Sequence, residues 1–170
     1  MRPQGNRVVE LRIPSELGYE KIAREAVATV ARRLNFGEDK IEDIKTAISE
    51  ACTNAIRYGG GSDARMKVVV VLTADEDKLD ILIKDPGAGG TPPIGVAIPD
   101  INGMIEGTDR LGGMGLYIIR ELVDEAGFVE DSEEQEGNQF RMVIYRMGDE
   151  EETNLEASGE NNKGGGPANE

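Results

Sequence analysis

Three stretches of this chain carry residue types that could do chemistry together. The first is Ser49-Glu50-Ala51-Cys52-Thr53-Asn54-Ala55-Ile56-Arg57. Glu50 and Asn54 are four apart, so on a helix they stand one above the other on a single face. The carboxylate can take a proton, and the amide oxygen can hold a hard cation such as Mg2+. An ordinary solvated helix face is the plainer alternative. The second stretch is Asp85-Pro86-Gly87-Ala88-Gly89. A carboxylate only accepts hydrogen bonds and adenine's exocyclic amine only donates them, so Asp85 can read adenine and reject guanine. Gly87 and Gly89 let the backbone come close to a flat base. Here the alternative is an Asp-Pro-Gly turn that closes a strand. The third stretch, Gly112-Gly113-Met114-Gly115-Leu116, leads into a helical pattern. Its amides and the positive end of the helix suit the β- and γ-phosphates of a nucleotide. It is not a P-loop, because no Gly-Lys-Ser/Thr follows. Nor is it a dinucleotide fingerprint, because it does not follow a first strand.

The elements that must position these residues follow from periodicity. Residues 7–13 alternate, with Val9, Leu11 and Ile13 on one face, and predict a first strand. A helix is expected after Pro14, with Ser15 as its N-cap. Its expected buried stripe is Tyr19, Ile22, Ala26, Val30 and Leu34, and Gly37 is its expected left-handed terminator. The next helix, over 38–58, carries Glu50 and Asn54 outside an apolar stripe of Ile41, Ile44, Ile48, Ala51 and Ala55. Gly59-Gly60-Gly61-Ser62 breaks it. Residues 65–73, with four consecutive valines, read as a central strand buried on both faces. Leu79, Ile81 and Ile83 make its hairpin partner, which runs into Asp85. Residues 90–111 read as a long lid, with a short helix over 99–104. A helix over 116–126 and strands near 127–131 and 139–146 complete the order. The expected fold is α+β: a two-layer sandwich with helices on one face of a mixed, mostly antiparallel sheet.

Composition narrows the function. A chain of 170 residues is about one domain, and periodicity stops after Met147. Residues 1–147 are expected to fold, and 148–170 to form an acidic, disordered tail. Seven acids against Lys163 give that tail −6 of the formal −14, so the body is acidic as well. That balance argues against direct nucleic-acid binding. The single cysteine, Cys52, excludes an internal disulfide and suits a reducing compartment. No apolar run approaches the ~20 residues that span a membrane, and no signal-peptide core is seen, so the expected location is cytoplasmic. There is no histidine. A Ser-His-Asp triad, histidine metal ligands and histidine autophosphorylation within this chain are therefore excluded.

Taken in order and spacing, the three stretches resemble the N, G1 and G2 boxes of the GHKL ATPases, the superfamily of gyrase, histidine-kinase and MutL nucleotide domains with the Bergerat fold. The closer resemblance is to the bacterial anti-sigma factor serine/threonine kinases, over about residues 7–147. It implies ATP and Mg2+ as cofactors. By that resemblance Glu50 is the catalytic base, Asn54 the Mg2+ ligand and Asp85 the adenine-binding acid, with Gly87 and Gly89 shaping the pocket. Gly113 and Gly115 become phosphate-loop glycines, flanked by Gly112, Met114 and Leu116, with 90–111 as the ATP lid. The implied substrate is an anti-sigma factor antagonist of the STAS type, the implied second partner a sigma factor, and the implied assembly a homodimer. Three places depart from the family pattern. Tyr58 stands where many relatives carry histidine, and Pro86 stiffens the G1 turn. Leu111-Gly112 replaces an arginine and serine, leaving Arg110 next door as the source of charge. The alternatives are a non-catalytic nucleotide-binding switch and a regulatory kinase that activates a phosphatase in a stress-signalling complex.

Overall fold

The computed structural model describes residues 6–87, 114–129 and 137–146. Five strands, β1 (Arg7–Pro14), β2 (Lys67–Ala74), β3 (Lys78–Asp85), β4 (Glu125–Phe128) and β5 (Asn138–Tyr145), form one sheet in the order β1-β2-β3-β5-β4. Every pairing among them is antiparallel, in keeping with the mostly antiparallel sheet expected. The helices are α1 (Glu20–Arg33), α2 (Glu38–Asn54) and α3 (Met114–Leu122). The architecture is α+β, with the core built from the inward side of the sheet and the apolar faces of the helices.

α2 is the element that the sequence announces most clearly. Ile41, Ile44, Ile48 and Ala51 are all buried at helical spacing. Glu38 and Asp39 place negative charge in its first turn, where the helix dipole favours it. The helix does not stop cleanly. Ala55–Gly59 form a single π-helical turn, closed by the Gly60 N–H donating to the Ala55 carbonyl at 2.9 Å. Such a turn inserts one extra residue and re-aims the chain.

Several expectations are corrected. α1 buries Ala23, Val27, Ala28, Ala31 and Leu34, whereas Ile22 is 54% exposed and Tyr19 is also exposed. The packed face is turned by about one residue because alanines let α1 approach α2 closely, which larger side chains would prevent. Ser15 is not an N-cap, since α1 starts only at Glu20. It is fully buried, and its hydroxyl donates to the Ile56 carbonyl at 3.2 Å, tying the end of β1 to the π-turn. The left-handed residue after α1 is Asn35, with φ 58°, while Gly37 is extended and precedes α2. Asparagine tolerates that conformation better than most residues. β2 alternates buried and half-buried positions, so only one face is fully covered. α3 ends at Leu122 and gives way to β4 at Glu125, earlier than its apolar pattern suggested. The lid and the tail lie outside the described residues.

Candidate active site

Glu50 and Asn54 stand on the last turns of α2, both half-buried. α3 begins directly over them. A Cβ on Gly115 would lie 2.9 Å from Glu50 Oε2 and 3.2 Å from Asn54 Nδ2. Glycine therefore lets the first turn of α3 come this close without displacing the carboxylate–amide pair. The approach also brings the first backbone amides of α3 to the same end of α2, where an anion would be favoured. Lys40, near the start of α2, holds the opposite end of α3. Its ammonium donates to the Leu122 carbonyl at 3.0 Å, a cation on a helix C-terminus.

Asp85 ends β3 and faces the same region from the sheet. Asp85, Asn54 and Leu116 border one cavity, walled further by Ala51, Ala55, Ile83 and the rings of Phe128 and Phe140. The two rings meet edge to face, with centroids 5.1 Å apart. The space between these walls is about 20 Å³, room for one water molecule. The Gly87 N–H donates to Asp85 Oδ1 at 2.8 Å, and the Asn138 amide donates to the same oxygen at 3.1 Å. Burial pushes the Asp85 carboxyl above its ordinary pKa, while the bonds from Gly87 and Asn138 pull it back. On the other side of α2, a polar groove of about 320 Å³ reaches Glu50 and Ser49 from Arg24, Glu42, Lys45 and Thr46. Cys52 is buried, and burial pushes its thiol up to about 12, which makes it an inert packing residue.

Of the residues singled out from sequence, Asn54, Asp85 and Leu116 border this cavity, Gly87 bonds to Asp85, Gly115 approaches Glu50 and Asn54, and Met114 starts α3. Gly89, Arg110, Gly112 and Gly113 lie outside the described residues. The sequence reading missed Asn138, Gly59, Phe128 and Phe140. Gly137-Asn138 lies just before the strand expected near 139–146, with no signal of its own. Its meaning depends on the β3–β5 register, which sets Asn138 opposite Asp85. Among the described residues no cluster of three acids or cysteines could hold a metal unaided. One amide oxygen with a carboxylate nearby does fit an ion that keeps most of its ligands as water and phosphate oxygens.

Residues 13–144 match the histidine kinase-like ATPase domain. The serine-protein kinase RsbW of Bacillus mycoides (strain KBAB4) is 35% identical over 140 residues, covering 81% of this chain and 84% of that protein. The RsbW of Bacillus velezensis is 34% identical over 124 residues, or 69% of this chain and 74% of its own length. A solved structure of the RsbU and RsbW domains of a Mycobacterium tuberculosis protein shares the fold. Its TM-score is 0.57 at 16% identity, over 83% of this chain and 33% of that longer one. Among the described residues no helix is long and apolar enough to cross a membrane. With a domain match across most of its length and relatives above a third identical, the chain belongs to the histidine kinase-like ATPase family, beside the RsbW serine-protein kinases.

Proposed function

We propose that this protein transfers the γ-phosphate of ATP to a serine of a small partner protein, with Glu50 as the base. The observation that carries the reading is the placement of Gly115 against the Glu50–Asn54 pair. It brings a proton acceptor, an amide oxygen and a helix N-terminus to one point. Asp85, across the same cavity, meets the exocyclic amine of adenine. The cavity has room only for a water, so it would have to widen to admit a purine. Asn54 would hold Mg2+, which supplies charge neutralisation on the phosphates. Glu50 accepts the proton of the incoming serine as its oxygen attacks in line. The amides at the start of α3 hold the phosphate oxygens while charge redistributes. Such a transfer needs mainly positioning and electrostatic stabilisation, which this set can supply without histidine.

The polar groove that reaches Glu50 from Arg24 and Lys45 supports a protein substrate, since it offers charge and hydroxyls beside the base. Resemblance of the sequence motifs names the partner classes: a STAS-type anti-sigma factor antagonist as substrate, and a sigma factor held when the antagonist is absent. A homodimer is part of the same reading. The outer edge of β1 is unpaired among the described strands and exposes Val8 and Val9, with Leu17 exposed in the turn that follows.

The test is co-purification with and without ATP, followed by mass spectrometry of the partners and radiolabelled transfer from ATP. A phosphorylated seryl peptide in a partner is the expected result. Nucleotide-dependent capture without any transfer would replace the kinase reading by a nucleotide-gated binding switch.

A further inference from the structure

The Asp85 carboxylate is held more tightly than base recognition alone requires. Two donors, the Gly87 N–H and the Asn138 amide, converge on its Oδ1. The Asn138 backbone N–H also donates to the carboxylate. Gly59, the last residue of the π-turn, is buried against the same group, and any Cβ placed there would overlap the carboxylate. The carboxylate thus lies between the π-turn and the start of β5, two segments far apart in sequence. Asn138 reaches it because β3 and β5 pair with these two residues opposite each other.

A free carboxyl can rotate and can also take a proton. A protonated carboxyl donates, so it could satisfy a 6-oxo purine as readily as a 6-amino one. A carboxylate whose Oδ1 is occupied by two donors, in the space that Gly59 leaves open, presents an acceptor and nothing else. The donors also stabilise the ionised form against the burial that opposes it.

We propose that Asn138 and Gly59 are positioning residues for base selectivity, locking Asp85 so that the pocket accepts a 6-amino purine and refuses a 6-oxo one. The proposal rests on the reading of Asp85 as the group that meets the base. Asn138 acts through Asp85, and Gly59 acts by leaving space that any side chain would take.

The experiment measures affinities of the full chain for ATP, inosine triphosphate and inorganic tripolyphosphate by titration calorimetry. Asn138→Leu keeps the shape of the side chain and the backbone bond and removes only the side-chain donor, whereas Asn138→Gln keeps a side-chain donor. A hydrogen bond to a charged group is worth roughly a factor of ten or more in an equilibrium. Asn138→Leu should therefore lower the ATP-to-inosine-triphosphate affinity ratio about tenfold and leave tripolyphosphate binding unchanged. Asn138→Gln should recover most of the ratio, and Gly59→Ala, where it folds, should lower it as well. A uniform loss for all three ligands in Asn138→Leu would mean a merely structural role and overturn the proposal. Asp85→Asn separates the two levels. If it leaves the ratio at the wild-type value, the reading of Asp85 itself is wrong. If it shifts the ratio and Asn138→Leu does not, the positioning proposal alone fails.

Discussion

Gly115→Ala should separate stability from activity. The added methyl would sit 2.9 Å from Glu50 Oε2 and 3.2 Å from Asn54 Nδ2. Both are the far ends of side chains on the last turns of α2, so they can swing aside rather than force the backbone apart. Displacing Glu50 into a poorer rotamer costs about 0.5–1.5 kcal/mol. Alanine in place of glycine in a helix returns up to about 1 kcal/mol. The two nearly cancel, and a residual of about 1 kcal/mol moves the melting temperature by roughly 2–4 °C in a chain of this size. Catalysis has no such compensation. A base displaced by about 1 Å loses roughly a hundredfold in rate. Thermal melting, ATP calorimetry and single-turnover transfer to the co-purifying partner make the assay. The expected result is a near-native melting temperature with transfer reduced about a hundredfold. Transfer within threefold of wild type, at an unchanged melting temperature, would show that the closeness of Gly115 to Glu50 has no bearing on the chemistry.

Glu50→Gln should hold ATP affinity within about tenfold, roughly 1.4 kcal/mol, while partner phosphorylation nearly vanishes, as measured by calorimetry and radiolabel transfer. For Asp85 the folded pKa is raised, so its protonated form is the one that folding favours, and the stability it contributes is lost as pH rises through that pKa. Asp85→Asn should accordingly hold or raise the melting temperature at pH 7, with the advantage shrinking toward the ordinary aspartate range, while ATP affinity falls. A clear destabilisation at pH 7 would contradict this. Lys40→Met removes the donor to the Leu122 carbonyl and should cost about 1–2 kcal/mol in chemical denaturation. Hydrogen exchange of 90–111 should slow with a non-hydrolysable ATP analogue and slow less with ADP. Equal exchange in the apo, ADP and analogue states would remove nucleotide control of that segment.

What could be read from sequence depended on how far apart the cooperating residues lie. Glu50 and Asn54 share one helix, and the period of Ile41, Ile44, Ile48 and Ala51 fixes their orientation without knowledge of any other element. Asp85 could be read because it closes an alternating strand, and Gly115 because glycine before a helical pattern is conspicuous. α1 misled because its alanines and its larger apolar residues occupy different faces. Hydrophobicity selects Tyr19 and Ile22, while close packing selects Ala23, Val27 and Ala31. Asn138, Phe128 and Phe140 carry no local signal. A polar residue after a turn and two phenylalanines in short strands acquire a role only when β5 pairs with β3 and β4.

The π-turn shows why the site is organised by one helix rather than by three motifs that happen to meet. α2 presents Glu50 and Asn54 to α3, and its end must also reach the sheet to contact Asp85. A regular helix continued to Gly59 would point that residue elsewhere, because each residue advances about 100° around the axis. The inserted residue resets the phase. Ser15 then anchors the turn through the Ile56 carbonyl, and Gly59 lies flush with the carboxylate. The spacing between the Glu50–Asn54 pair and the contact with Asp85 is thereby set within a single continuous segment, from Glu50 to Gly59. A substitution that straightens this turn should disturb base recognition and leave the Glu50–Asn54–Gly115 contact in place, whereas one at Gly115 should do the reverse.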